Sequence, residues 1–261
     1  MEATVGSLLR EWRSRRRLSQ LELALEANVS TRHLSFVETG RAQPSRDMVV
    51  LLAERLDVPL RETNQLLLAA GYAPAYPDNG TADSAVRAAL RHVLAGYEPY
   101  PALVVDRHWE MLDANAGVSL LLEGIDPEQL APPVNALRLA LHPDGLAPRI
   151  LNLGEWRAHL ISRLKRQVAT THDPQLATLL DELRSYPGEE VELHAPDGII
   201  VPLRIEHEGG ELRFMSIVTT FGTPLDASLQ DLSVEAFLPA DEETSERLSK
   251  WRSRSSSLSA Q

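Results

Sequence analysis

No cysteine occurs in the 261 residues, so disulfides and thiolate metal sites are excluded. No apolar run approaches the roughly 18 residues that a spanning helix needs, and the start carries no secretory pattern. A cytoplasmic protein without a membrane partner is therefore expected. Catalytic signatures are missing as well. There is no Gly-x-Ser-x-Gly elbow, phosphate-binding loop or Gly-x-Gly-x-x-Gly run, and His92, His108, His142, His159, His172, His194 and His207 are scattered. No enzyme, cofactor or metal is expected. Basic residues are also scarce: 26 Lys and Arg against 37 Asp and Glu leave a net charge of −11. Taken over the whole chain, that charge repels nucleic acid.

The deficit is unevenly spread. Residues 1–76 hold ten Arg and nine acidic residues, whereas the remainder holds 16 basic and 28 acidic ones. A near-neutral module with clustered arginines is thus joined to a strongly acidic one, and the acidic part should face away from any DNA.

Within the first module, Leu18 to Gly40 reads LSQLELALEANVSTRHLSFVETG. Ser19 and Ser30 are hydroxyl N-caps, each opening a segment of helical period. Asn28, between them, tolerates the left-handed conformation of a tight corner. Leu21, Ala24 and Leu25 on the first segment, with Leu34 and Val37 on the second, are expected to share one small core. This is the pattern of a helix-turn-helix, in which one helix enters the DNA major groove and the other braces it. A helix precedes the pair and ends in Arg15-Arg16-Arg17. Two more follow, one capped by Ser45 and one over Leu60–Ala70, closed by Gly71. The fold class expected here is an all-α five-helix bundle.

Gly6, Leu9, Arg10, Arg13, Leu18-Ser19-Gln20, Leu23-Ala24, Val29-Ser30, Leu34-Ser35, Val37-Glu38, Gly40-Arg41 and Pro44-Ser45 resemble the Xre/Cro family of DNA-binding domains. The resemblance implies a reader beginning at Ser30, with Thr31, Arg32, His33 and Ser35 facing the bases and Gln20 on a phosphate. Arg32 can present two parallel donors to guanine, and His33 can donate or accept. Phe36 is open between a thymine-methyl contact and packing at the groove edge. Arg13, Arg15, Arg16, Arg17, Arg41 and Arg46 are candidates for phosphate contact.

A Pro/Gly-rich stretch breaks the helical period, giving domains at 1–74 and 84–240 with a linker at 75–83. Residues 241–261 are expected to form a C-terminal helix and a disordered serine-rich tail from Ser253. In the second domain, Ser84–Gly96 is helical. Ala102–Val105 and Trp109–Asp113 form a hairpin, followed by helices near Asn115–Leu122, Asn135–Leu141, Leu153–Val168 and Pro174–Arg184. Strand patterns return at Val191–Leu193, Ile199–Ile205, Glu211–Val218 and Leu232–Phe237, with a turn at Glu208-Gly209-Gly210. That order suggests an α+β, PAS-like sensor: a curved sheet covered by helices, with a cavity between.

Glu98 to Asp106, Trp109, Ala114-Asn115-Ala116, Asn135, Leu137-Arg138-Leu139, Leu141 to Leu146 and Glu155-Trp156 resemble the ligand-binding domain of the MmyB-like transcription regulators. The resemblance implies a regulator that joins an Xre-type reader to a sensor of a small apolar molecule such as an acyl chain. From the chemistry, Arg138 and His142 lie four apart and could hold a carboxylate, or Arg138 could pair with a local acid such as Asp144. Trp109, Asn115 and Trp156 could line a cavity or belong to the core, and Phe214 or Met215 faces inward. The expected partners are double-stranded operator DNA, a small-molecule effector and a second copy in a homodimer, with signalling through Ser84–Gly96. The competing reading is an antitoxin-like or scaffold protein whose second domain binds another protein.

Overall fold

The computed structural model describes residues 4–78, 84–188, 191, 201–221 and 226–258, with side chains up to 254. The chain divides into two compact units.

Five helices build the first: α1 (Val5–Arg15), α2 (Gln20–Glu26), α3 (Thr31–Glu38), α4 (Arg46–Arg55) and α5 (Leu60–Ala69). Ser19 Oγ accepts from Glu22 N while Glu22 Oε2 accepts from Ser19 N at 2.7 Å, a capping box that starts α2. Ser30 Oγ accepts from His33 N at 3.1 Å and starts α3, and Ser45 does the same for α4. Asn28 takes φ 52° at the corner between α2 and α3, as its side chain allows. Leu9, Leu23, Leu34, Val37, Leu52 and Leu67 fill the core.

Two core assignments on α2 are corrected. Leu21 and Leu25 are 57% and 71% exposed, whereas Leu23 and Ala24 are buried. The helix is rotated by about one position from the expected face, because Leu23 takes the inward place that Leu21 and Leu25 flank.

The first residues of the expected linker, Ala75 to Asp78, are bonded to α5. Asn64 Oδ1 accepts from Ala75 N and Tyr76 N, and its Nδ2 donates to Tyr76 O. Arg61 pairs with Asp78 at 2.7 Å. The chain therefore stays on α5 through Asp78, and the rest of the expected linker, 79–83, lies outside the described residues.

The second unit holds α6 (Ser84–Gly96), β1 (Ala102–Val105), β2 (Met111–Ala114), α7 (Val118–Leu122), α8 (Ala136–Leu141), α9 (Leu153–Thr171) and α10 (Pro174–Ser185). It is completed by β3 (Leu203–His207), β4 (Gly210–Thr220), β5 (Ser233–Pro239) and α12 (Glu242–Leu258). The strands form one antiparallel sheet of order β2-β1-β5-β4-β3. α6 packs on β1 and β2. The large core uses the Leu103, Val105 and Phe237 side of the sheet, under α7 to α10. This is the α+β, PAS-like arrangement anticipated from the sequence. Glu208 and Gly209, at φ 48° and 71°, make the two-residue turn between β3 and β4.

Three expectations move. The second strand starts at Met111 because Trp109 sits at φ 70°, in a turn where Asp106 Oδ1 accepts from His108 N and Glu110 N. The strand expected at Val191–Leu193 lies outside the described residues, except for the exposed Val191. The helix α12 continues through the serines to Leu258, where a disordered tail was expected from Ser253.

Residues 221–231, between β4 and β5, belong to the first unit although both flanking strands belong to the second. There α11 (Ala227–Gln230) starts where Ala227 N donates to Pro77 O, and Gln230 Oε1 accepts from Leu60 N. Asp231 Oδ2 accepts from Arg61 Nε at 3.0 Å.

Candidate DNA-reading helix and ligand cavity

The first site is the outward face of α3. Leu34 and Val37 turn into the core, leaving Arg32 exposed and Thr31, His33, Ser35 and Phe36 half-buried. The Arg32 guanidinium lies 5.4 Å from the centre of the Phe36 ring, a cation–π contact that holds it along the helix. Ser30 caps the end from which these side chains start. Arg17 and Arg41 are exposed, and neither side chain bonds another group among the described residues.

Two of the side chains expected on phosphates, Arg13 and Gln20, have partners within the fold. Arg13 donates through Nε to Glu38 Oε1 at 2.7 Å, through Nη2 to Oε2 at 2.9 Å and through Nη1 to Leu18 O. Gln20 Nε2 donates to Glu38 Oε2 at 2.8 Å. Both side chains are committed to a buried carboxylate at the end of α3. Burial alone would raise the Glu38 pKa, yet the bonds from Arg13 and Gln20 and the positive charge of Arg13 and Arg10 leave it lowered. Arg16 is likewise structural, donating to Leu56 O and Asp57 O, and Arg15 pairs with Glu11.

The second site is a cavity of about 60 Å³ between the sheet and the helices. Leu103, Met111, Leu203 and Phe237 come from strands, Val118 and Leu121 from α7, Leu137 and Ala140 from α8, and Trp156 and Leu160 from α9. Glu235 is its one charged lining residue. Arg163 Nη1 and Ser216 Oγ both donate to Glu235 Oε1, at 2.9 and 2.6 Å. Arg163 is stacked 4.2 Å from the centre of the Trp109 ring. His159 stacks on Trp156, and burial together with the nearby Arg163 lowers its pKa.

Of the six residues expected to bind ligand, Trp156 alone lines this cavity. Phe214 is wholly buried in the core, edge-on to Phe237. Trp109 donates to Gln167 Oε1 and backs Arg163. Asn115 is a structural clamp: its Oδ1 accepts from Ala102 N and its Nδ2 donates to Tyr100 O. Arg138 makes two bonds to Glu182, at 2.6 and 2.8 Å, in a separate polar cleft with His108 and Glu110. That carboxylate, 44 residues along the chain, supplies the partner expected nearby from Asp144. His142 accepts from Asp144 N and meets the edge of Tyr186. Arg138 and His142 thus have separate partners, Glu182 for the one and Asp144 N with Tyr186 for the other.

Glu235, Arg163 and Ser216 were missed. A signal existed: in the strand pattern Ser233 to Phe237, Glu235 falls on the same face as Phe237.

Among the described residues, no group of acidic and histidine side chains is suited to a metal, and no helix is long and apolar enough to cross a membrane. No curated protein matches the chain. Residues 9–62 match a helix-turn-helix family model, and residues 86–250 match the MmyB-like transcription regulator ligand binding domain. The chain therefore belongs to the MmyB-like family, as a DNA-binding transcription regulator that carries a ligand-binding domain.

Proposed function

We propose that this regulator acts as a cytoplasmic homodimer on a pseudo-palindromic operator, and that its affinity for DNA is set by a small apolar, acyl-chain-like ligand in the cavity beneath the sheet. Thr31, Arg32, His33, Ser35 and Phe36 read base edges from α3, while Arg17 and Arg41 contact phosphates.

The observation that carries the ligand reading is the cavity wall, apolar except for Glu235. Its size supplies the switch. An apolar cavity of about 150 Å³ takes up benzene, and this one measures about 60 Å³. An acyl chain is larger than this space, so its binding is expected to widen the cavity and make the bound arrangement differ from the free one. A ligand shifts that equilibrium by its differential affinity for the two.

Two covalent routes lead from the sheet to the reading unit. One is α6, which packs on β1 and β2 and continues N-terminally into the linker. The other is the excursion 221–231, which leaves β4, joins the first unit and returns as β5. Glu235 on the cavity wall is four residues from Asp231, the partner of Arg61.

Native mass spectrometry of the freshly purified protein tests the ligand reading. A co-purified amphiphile, one per chain, is expected. Loss of that mass in a variant with a filled cavity ties it to the site. A bound polar metabolite that survives in such a variant contradicts the reading.

A further inference from the structure

Glu235 is the one charged residue on the cavity wall. This residue is 4% exposed and sits at the centre of the sheet, opposite Leu103 on β1 and Val218 on β4. Its position on β5 follows from strand alternation: Glu235 and Phe237 share the cavity face. Oε1 receives both Arg163 and Ser216, whereas among the described residues no donor reaches Oε2. Oε2 keeps accessible surface on the cavity wall, so a donor that enters the cavity can reach it and add one hydrogen bond to a charged acceptor.

The charge at this point is already balanced. Arg163 supplies the counter-charge at 2.9 Å and is held in place by the Trp109 ring. A carboxylate head group would set a second anion against Glu235 in apolar surroundings. An ammonium head group would leave one positive charge in excess. A neutral hydroxyl satisfies Oε2 and leaves the Arg163–Glu235 pair balanced.

We propose that the ligand is an uncharged amphiphile, an apolar chain whose hydroxyl donates to Glu235 Oε2, such as a long-chain alcohol or a hydroxylated acyl ester. This rests on the apolar-ligand reading above and adds the head group to it.

The test compares dodecanol, dodecylamine and dodecanoate on the full chain at neutral pH, by displacement of a fluorescent apolar probe. The alcohol is expected to bind at least about tenfold more tightly than the carboxylate, the factor for one hydrogen bond to a charged acceptor. In Glu235→Gln the repulsion of the carboxylate is gone, and that ratio should collapse to within about threefold. Dodecanoate binding as tightly as dodecanol to the unaltered protein overturns the head-group assignment and leaves the apolar-ligand reading standing. A preference unchanged in Glu235→Gln also overturns it. Failure of all three to bind overturns both readings. The ranking on the unaltered protein decides the proposal even if the variant folds poorly.

Discussion

Arg13 grips Glu38 with two bonds of 2.7 and 2.9 Å, and this pair joins α1 to the end of the reading helix. Glu38 is 7% exposed, so the pair is inside the reading unit and not at its DNA surface. Arg13→Ala leaves a buried carboxylate with Gln20 as its remaining side-chain donor. The expected loss is about 3–5 kcal/mol of folding stability, measured by urea unfolding. A loss confined to DNA affinity, with stability unchanged, would return Arg13 to the phosphate-contact group.

Arg32→Ala should do the reverse. Arg32 is exposed and contacts Phe36, so stability should hold within about 0.5 kcal/mol. Affinity for specific DNA should fall by roughly 1–3 kcal/mol, while non-specific binding changes less. Equal losses on specific and random DNA would show that Arg32 touches the backbone and not a base.

Gly6→Ala tests how closely α1 approaches α3. A Cβ at position 6 would press into the carbonyl oxygen of Val37 and lie 2.8 Å from that of Glu38. Both obstacles are backbone, so a rotamer change cannot relieve them. Destabilisation of about 1–3 kcal/mol is expected, although alanine favours helices. A variant as stable as the parent would show that the two helices can separate freely.

The Arg138–Glu182 pair predicts an acid-dependent stability. The bond from Arg138 outweighs burial and lowers the Glu182 pKa from its ordinary 4.5 to about 2. A depressed carboxylate stabilises the fold above its unfolded pKa, and that contribution is lost as pH falls through the folded value. The stability difference between the parent and Glu182→Gln should therefore be full above pH 4.5 and shrink towards pH 2. A difference that does not vary across this window would remove Glu182 from the acid response.

The sequence showed most clearly what depends on neighbours within one turn or strand. Ser19, Ser30 and Ser45 cap the helices they were expected to start, and Asn28 turns the corner. The turn at Glu208-Gly209 and the order of strands and helices follow from the same local signals. Distant partnerships were hidden. Arg138 finds Glu182 44 residues away, Arg163 finds Glu235 72 residues away, and Arg13 finds Glu38 25 residues away. Spacing along one helix cannot reveal such partners, so free-looking cations were read as binding groups. The exposed Leu21 and Leu25 misled for a related reason, since a short helix offers two apolar faces and only packing selects one. Trp109 and Phe214 are both buried, yet neither lines the cavity, and strand or helix period alone does not distinguish a core aromatic from a cavity wall.

Filling the cavity is expected to change how α3 binds DNA. The most direct measurement is the affinity of the full chain for a DNA fragment that it selects from a random pool, with and without saturating dodecanol. The same titration is made on Ala140→Leu, whose added carbons occupy the cavity at α8. A change of about fivefold or more is expected in the parent, the usual scale of allosteric coupling, and none in Ala140→Leu. Identical DNA affinity in the parent with and without bound ligand would contradict it.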